Sequence, residues 1–293
     1  MKILLTGASG FAGRNLAEYL AGYHDLLLPH HNELDLTIQK DVDNYFANNV
    51  IDAVIHAAVK PMHRNAKCLY DLLRPNLLMY YNLKRNVEKR NIRMLFIGSG
   101  NCYDNNNYIP MMKETYFSEH IPTTEEGLAK YAVSSSIDKS INIYDLRVFG
   151  LFGKYEDYAI RFISNAICKA LCGMPITLRQ NRRFSYLYVD DLAALVLLML
   201  EKDLLHKSYN ITPDESITLL ELAEMTRRIT EADVPILVGK EGMGMEYTGN
   251  NQRLRKEFPA FCFTPLEEAI RNLAAWYRTQ LANIDRSVLV SDK

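Results

Sequence analysis

Short apolar runs and helical patterns alternate through the first half of the chain. Runs typical of buried strands occur at residues 2–5, 26–28, 53–56, 94–98 and 143–148. Segments with helical spacing lie between them at residues 41–48, 76–90 and 127–139. This alternation predicts an α/β fold, a doubly wound parallel sheet with helices on both faces. We expect its ligand beyond the carboxyl ends of the strands.

A glycine-rich segment at residues 6–13, TGASGFAG, directly follows the first apolar run. A helical pattern with Leu16, Ala17 and Leu20 on one face comes next. Glycines let a backbone turn tightly and approach a ligand, and the N-terminus of a helix presents free N–H groups to an anion. An ordinary surface turn is the alternative, but the strand before and the helix after the segment favour a phosphate cradle.

The second half of the chain is less regular. Residues 159–172 and 190–201 have helical spacing, and Thr218-x-x-Glu221 and Thr264-Pro265-x-Glu267 are typical of capping boxes that open further helices. We therefore expect a dinucleotide-binding domain at 1–157 and a smaller α/β substrate lid at 158–293. Residues 184–201 are expected to return and pack on the first domain. The tail after Gln280 loses its periodicity, which predicts a frayed end.

Composition narrows the function classes. The 293 residues include 34 Lys and Arg against 35 Asp and Glu, a balance that indicates neither nucleic acid nor an acidic membrane surface as a partner. The longest apolar run, 192–200, is too short to span a membrane, and we expect no signal peptide and a cytoplasmic location. Five cysteines without disulfide or zinc spacing predict buried free thiols and no metal site; they are Cys68, Cys102, Cys168, Cys172 and Cys262.

Several motifs occur in an order that resembles the extended short-chain dehydrogenase/reductase family. They are the glycine segment at 6–13, Asp35-Leu36, His56-Ala57-Ala58, Asn76, Ser99 with Tyr103, residues 188–192 and residues 209–211. The resemblance extends to about Tyr277. It implies a Rossmann-like fold, an NAD(P) cofactor and a nucleoside-diphosphate sugar as substrate. Residues 32–60 are most similar to the GDP-fucose synthase and dTDP-sugar reductase members.

The resemblance implies roles for particular positions. Asp35 matches an acid that binds the adenine amino group, although a lone Asp here is also compatible with a solvated loop. Asn76 matches an Asn that opens a long helix, although it also fits a plain helix start after Pro75. The implied cofactor-binding set is Gly7, Ser9, Gly10, Phe11, Gly13, Asp35, Leu36, Ala57, Ala58, Lys60, Asn76 and Lys130.

The family couples hydride transfer to proton transfer by a tyrosine, with a lysine four residues later and a serine or threonine beside the reacting oxygen. Ser99 and Lys130 match the serine and the lysine, but Glu126 stands at the tyrosine position. The implied catalytic residues are therefore Ser99, Glu126 and Lys130. Glu126 also fits a plain helix N-terminus, where a carboxylate is favoured by the helix dipole.

Three explanations of Glu126 stay open. Glu126 is itself the base of an epimerisation or dehydration, or the redox function has been lost, or another group donates the proton. The candidate donors near it are Cys102, Tyr103, Tyr108, His120 and Tyr131.

Other departures argue against one specific member of the family. Most relatives have an Asn near Gly150, and GDP-fucose synthase uses a Cys and a His for its epimerisation. Asn101 occupies the expected Cys position, Cys102 is one place away, and residues 155–163 contain no His. We therefore do not assign the chain as GDP-fucose synthase.

The second strand ends without the acid that usually binds the ribose of NAD. His30 and His31 follow it instead, which favours NADP over NAD. Arg183, beside Arg182, and Arg253 are candidates for the substrate diphosphate, because guanidinium forks suit phosphate geometry. We predict an NAD(P)-dependent oxidoreductase, epimerase or dehydratase. The alternative is a redox-silent NAD(P)-binding sensor or partner subunit. Homodimers are common in the family, so the resemblance leaves a homodimer open.

Overall fold

The computed structural model describes residues 1–61, 65–66 and 70–290. Its strands are β1 Lys2–Thr6, β2 Asp25–Leu27, β3 Ala53–His56, β4 Arg93–Ser99, β5 Ile143–Val148, β6 Gly150–Phe152, β7 Ile176–Asn181, β8 Arg183–Phe184, β9 Tyr186–Tyr188, β10 Ser208–Ile211, β11 Ile217–Thr218 and β12 Ile236–Met243. Its α-helices are α1 Phe11–Leu20, α2 Gln39–Asn48, α3 Leu73–Arg90, α4 Glu125–Ile137, α5 Phe162–Leu171, α6 Val189–Glu201, α7 Leu219–Thr230, α8 Gln252–Glu257 and α9 Leu266–Thr279.

The central sheet has six strands in the order β10-β5-β4-β3-β1-β2. Every pair in it is parallel. The predicted α/β class with a doubly wound parallel sheet is therefore confirmed. Helix α3 begins three residues earlier than expected, at Leu73, because Pro75 fits the first turn, where its missing N–H costs no hydrogen bond.

Apolar side chains cover both faces of the sheet. On one face, Leu16 of α1 and Leu192 of α6 pack with Ile3 and Leu5 of β1. On the other, α2, α3 and α4 pack against the same strands through residues that include Val42, Phe46, Leu83, Val87 and Val133. Burial on two faces explains why these strands read as unbroken apolar runs in the sequence.

The second lobe has its own core, built from α5, α7, α9 and β7. Strand β7 pairs with β12 in a separate two-stranded sheet. Helix α6 packs against the main sheet through Leu192 and its neighbours, while the return of the whole segment 184–201 to a first domain stays a prediction. Strand β10, from the second half of the chain, pairs with β5 and forms one edge of the main sheet, which the sequence did not indicate. The domain division at residue 157 stays a prediction.

One predicted capping box is present and the other is not. At the start of α7, Thr218 Oγ1 accepts from the Glu221 N–H, and the Glu221 carboxylate accepts from the Thr218 N–H. At α9 the prediction was wrong. The Thr264 N–H and hydroxyl both donate to Asp191 of α6, at 3.1 and 2.7 Å, so a distant carboxylate has taken the place of the local cap.

The tail after Gln280 is packed rather than frayed as far as Leu289. Two short 3₁₀ turns, Leu281–Asn283 and Arg286–Leu289, lead Leu289 into the core of the second lobe. Leu289 is fully buried, and this hydrophobic contact holds the tail in place. A single buried residue gives no periodic pattern, so the sequence did not indicate it.

The free thiols differ in their burial. Cys102 and Cys168 are buried and Cys172 is half-buried, while Cys262 is exposed on the loop before α9, contrary to expectation. Cys68 lies outside the described residues. Within the described ranges, none of the helices combines the length and apolar content that crossing a bilayer requires.

Candidate active site

The glycine segment forms a turn that only glycine can make. Gly7 has φ +75° at the carboxyl end of β1, and its carbonyl accepts from the Gly10 N–H at 3.0 Å. A Cβ on Gly7 would lie 2.6 Å from the Ala58 backbone nitrogen, and one on Gly13 would lie 2.1 Å from the Gly7 oxygen. The turn, the start of α1 and the segment after β3 are therefore in direct backbone contact.

Helix α1 begins at the cavity beside this turn. Its N-cap is Gly10, which has no side chain to cap the first N–H groups, and residues 11–14 are neutral or basic. Those N–H groups and the helix dipole together favour an anion. The residues thus fit the pyrophosphate of a dinucleotide cofactor.

A cavity of about 720 Å³ extends from this helix start. Most of the predicted cofactor residues line it: Gly7, Ser9, Gly10, Phe11, Gly13, Asp35, Leu36, Ala57 and Ala58. His30 and His31 line it too, from the segment after β2. The structure therefore brings together residues that are up to about fifty positions apart in the sequence, although their binding role stays a prediction.

Asp35 is held in an ordered turn at the cavity. Its Oδ1 accepts from the Thr37 N–H at 2.9 Å and from the Thr37 hydroxyl at 2.7 Å. Burial alone would raise the pKa of Asp35, but these bonds and nearby His31 outweigh it and lower that pKa. An ionised Asp35 can accept a hydrogen bond from an adenine amino group.

Lys60 and Asn76 are joined by a hydrogen bond. The Asn76 side-chain oxygen accepts from the Lys60 N–H at 2.9 Å, and its amide donates to the Leu72 carbonyl at 2.7 Å. The Lys60 ammonium donates to the carbonyls of Tyr70 and Asp71. Asn76 thus connects the segment after β3 to the start of α3 by hydrogen bonds. The Lys60 ammonium is bound by carbonyl groups of the loop before that helix.

The predicted catalytic residues lie further along the same edge of the sheet. Ser99 ends β4, and its Oγ accepts from the Asn101 N–H at 3.1 Å. Glu126 lies in the first turn of α4, after Thr124, whose Oγ1 accepts from the Gly127 N–H. Lys130 lies one turn later on the same face of the helix.

Lys130 is half-buried beside an aromatic ring. Its ammonium lies 5.3 Å from the centre of the Phe96 ring. Burial lowers the pKa of Lys130, while the Glu126 and Asp145 carboxylates oppose that shift. Burial, helped by the Lys130 charge, also lowers the pKa of His56 to about 3. Lys130 thus lies beside Phe96 of β4, and its ribose-binding role stays a prediction.

Sequence reasoning missed Tyr247 as a functional candidate. Its hydroxyl donates to Asn101 Oδ1 at 3.2 Å. Burial raises the pKa of the phenol, and the nearby Glu126 charge adds to this shift. A residue of the second lobe therefore reaches Asn101, two positions after Ser99. The sequence carried no signal for this contact, because Tyr247 lies between β12 and α8, 146 positions after Asn101.

The five other donors considered from sequence have different partners. Tyr103 donates to Asn210 at 2.8 Å, Tyr108 to the Thr248 carbonyl and Tyr131 to Ser118. His120 is exposed against the ring of Tyr116. Cys102 is buried, which raises the pKa of its thiol to about 12.

The two arginines chosen from sequence do not line the cavity. Arg183 donates to the Ser216 carbonyl at 3.0 Å and lines a separate cavity of about 1100 Å³ in the second lobe. Arg253 donates to Ser208 at the amino end of β10, whereas the glycine turn lies at the carboxyl ends of the strands. Their diphosphate role stays a prediction.

Arg182 differs from its neighbour in its partners. Among the described residues its buried Nε has no hydrogen-bond partner. Its guanidinium lies 4.6 Å from the centre of the Phe184 ring. Burial lowers the pKa of Arg182, while Tyr186 and Tyr247 oppose the shift.

A family model described as "NAD dependent epimerase/dehydratase family" matches residues 3–212. The chain belongs to this family. The match spans the sheet, the glycine turn, Ser99 and α4, so the predicted family is confirmed and the chain is an enzyme of the epimerase/dehydratase type. Within the described ranges, we find no group of three metal-ligating side chains close enough to hold an ion.

Several curated family members are similar to the chain. It is 25% identical over 252 residues to the GDP-L-colitose synthase of Yersinia pseudotuberculosis, covering 78% of this chain and 82% of that one. It is 24% identical over an alignment of 320 positions to GDP-L-fucose synthase 1 of Arabidopsis thaliana, which covers 96% of this chain and 94% of that one.

Among solved structures, a GDP-mannoheptose C4 reductase from Campylobacter jejuni with NADP bound has a TM-score of 0.79 and 22% identity. The match covers 94% of this chain and 98% of that one. This likeness shows that the two proteins share a fold.

Proposed function

We propose that this family member is an NAD(P)-dependent enzyme that acts on a GDP-linked keto sugar, with reduction of the keto group as its central step. One observation carries the proposal. Helix α1 begins without a side-chain N-cap, and its first N–H groups lie beside a cavity at the same edge of the sheet as Ser99 and Lys130. The similar GDP-sugar synthases and the GDP-mannoheptose reductase support the substrate class.

When bound, the nicotinamide cofactor supplies the hydride. The residues that would hold it are those of the glycine turn, Asp35 and Lys130. Ser99 would hydrogen-bond the reacting oxygen, since its hydroxyl lies at the carboxyl end of β4. Arg182 would meet the substrate's negative charge, because guanidinium groups bind phosphate through paired donors.

We infer NADP as the preferred cofactor. His30 and His31 line the cavity where the sequence has no acid to repel a ribose phosphate. The Campylobacter jejuni reductase was solved with NADP and a GDP-L-fucose synthetase from Naegleria fowleri was also solved bound to NADP. The cytoplasm as location and a homodimer as assembly remain proposals that accompany this function.

Fluorescence titration of the purified chain with NADPH and with NADH tests the cofactor part. We expect saturable binding of both and a lower Kd for NADPH. Cofactor oxidation is then followed with GDP-linked and UDP-linked 4-keto sugars as substrates. The absence of binding at millimolar cofactor would contradict the proposal, and turnover of only UDP sugars would overturn its substrate class.

A second function is favoured by one observation, the carboxylate at position 126. If Glu126 marks a lost reaction, the chain binds NAD(P) without turnover and serves as a sensor or partner subunit. This function predicts cofactor binding with no oxidation of NADPH by any nucleotide-linked keto sugar. Measurable turnover by the unmodified chain excludes it.

A further inference from the structure

We propose that Tyr247 is the acid of this site, supplied by the second lobe in place of the tyrosine that the family carries at the position of Glu126. The inference rests on the function proposed above. Its first support is the chain of contacts from Tyr247 to Ser99. The Tyr247 hydroxyl donates to Asn101 Oδ1 at 3.2 Å, and the Asn101 N–H donates to Ser99 Oγ at 3.1 Å, so Asn101 links the two hydroxyl groups.

The backbone of Tyr247 is fixed on both sides. Its N–H donates to the Arg183 carbonyl at 2.9 Å, and its carbonyl accepts from the Ser185 N–H at 3.2 Å. These bonds hold the segment beside β8. A phenol on such a segment keeps its direction without help from α4.

The ring of Tyr247 is equally constrained. Its centre lies 5.1 Å from that of Tyr108 and 5.2 Å from that of Phe149. A Cβ on Gly100 would lie 2.7 Å from the Tyr247 hydroxyl oxygen. The turn after β4 therefore has glycine where the phenol approaches, and a side chain there would push the hydroxyl away from Asn101.

Tyr247 is half-buried as a residue, and the bond from its hydroxyl to Asn101 is long at 3.2 Å. A carbonyl oxygen of a substrate can therefore replace Asn101 as the partner of this hydroxyl. By contrast, the hydroxyl of Tyr103 is committed to a fully buried network with Asn210 and Arg147.

The chemistry balances with one proton from solvent. As a hydride reaches the carbonyl carbon of the keto sugar, Tyr247 gives its phenolic proton to the carbonyl oxygen. The resulting phenolate takes a proton from water. One keto group, one hydride and one solvent proton thus give one alcohol, and Tyr247 returns to its starting form.

Tyr247→Phe tests the role directly, with Tyr116→Phe as the matched control. Tyr116 packs against the same aromatic cluster, but its hydroxyl donates to the Asn107 carbonyl at 3.1 Å. General acid catalysis is worth about 10²–10⁴-fold, so we expect kcat to fall by about a hundredfold or more in Tyr247→Phe, with KM and NADPH affinity within about threefold. A kcat that stays within about twofold overturns the proposal.

Rescue separates an acid from a merely structural tyrosine. In the double variant Tyr247→Phe/Glu126→Tyr, a phenol stands again at the family position, one turn before Lys130. We expect at least a tenfold recovery of kcat over Tyr247→Phe. A loss of kcat in Tyr247→Phe that comes with a large rise in KM and no rescue indicates a structural role.

A measurement without turnover distinguishes failure of this inference from failure of the proposed function. The chain is labelled with fluorotyrosine, and the resonance absent from Tyr247→Phe is assigned to Tyr247. It should shift with NADP⁺ but not with 2′-phospho-ADP-ribose, which lacks the nicotinamide. If both ligands bind and this resonance does not respond to NADP⁺, the inference is wrong while the cofactor site stands. If neither binds, the proposed function fails.

Discussion

Asp145 and Arg147, both on β5, form an ion pair with 2.8 Å between Oδ2 and Nε, and both side chains are almost wholly buried. Ser134 of α4 donates to the same carboxylate oxygen at 2.6 Å. Because Ser134 follows Glu126 and Lys130 on one face of α4, Asp145 ties the face that carries the candidate catalytic residues to the sheet.

Asp145→Ala is expected to destabilise the chain by about 3–5 kcal/mol, because it leaves Arg147 as an uncompensated buried charge. Urea unfolding measures the change in the free energy of unfolding. Glu267→Ala is the control, since Glu267 binds Arg228 and Arg271 at the surface, where such pairs are worth about 0–1 kcal/mol. Equal losses in the two variants would show that the buried pair is not special.

Gly13→Ala is expected to weaken cofactor binding. Its Cβ would lie 2.1 Å from the Gly7 oxygen, so either the turn or α1 must shift, at a cost of about 1–3 kcal/mol. We expect the Kd for NADPH, measured by fluorescence, to rise at least about tenfold, which corresponds to about 1.4 kcal/mol. Gly22→Ala, just beyond α1, is the control because its Cβ would lie 4.0 Å from its nearest neighbour. Unchanged affinity in Gly13→Ala would contradict the cradle.

The buried His56 is expected to make the folded chain less stable in acid. Burial, and secondly Lys130, lower its pKa from 6.5 to about 3, so folding keeps it neutral. The unfolded chain binds the proton first, and stability falls as the pH drops from about 6.5 toward 3. At pH 5 the cost is about 2 kcal/mol, from one and a half pKa units at about 1.36 kcal/mol each.

Unfolding free energies at about pH 7.5, about pH 6 and about pH 5 measure this slope. In His56→Gln the slope should be smaller by about 2 kcal/mol over that interval. Exposed His120→Gln serves as the control and should keep the slope of the unmodified chain. Identical slopes in all three proteins would show that His56 does not carry the effect.

The adjacent arginines should differ in their effect on the substrate. Arg182→Lys removes a planar fork whose Nε has no other partner among the described residues, so we expect KM for the sugar nucleotide to rise about tenfold or more. Arg183→Lys, whose parent side chain bonds the Ser216 carbonyl, should change KM by less than about threefold. Steady-state kinetics decide between them, and the reverse order would support Arg183.

Much of this protein could be predicted from local sequence. The apolar runs and helical spacings determine the parallel sheet, because strands buried on both faces must be apolar along their length. The glycine turn could be identified because its strand, loop and helix are contiguous, and backbone sterics alone require glycine at Gly7 and Gly13.

Only the tertiary structure decided the partners of polar side chains far apart in the sequence. The Tyr247 hydroxyl meets Asn101 across 146 positions, and Thr264 bonds Asp191 across 73 instead of capping its own helix. The adjacent arginines likewise differ only through tertiary contacts, since Arg183 donates to the Ser216 carbonyl while Arg182 Nε has no partner among the described residues. Such contacts follow from how two lobes pack, and packing depends on the summed burial of many residues rather than on any local pattern.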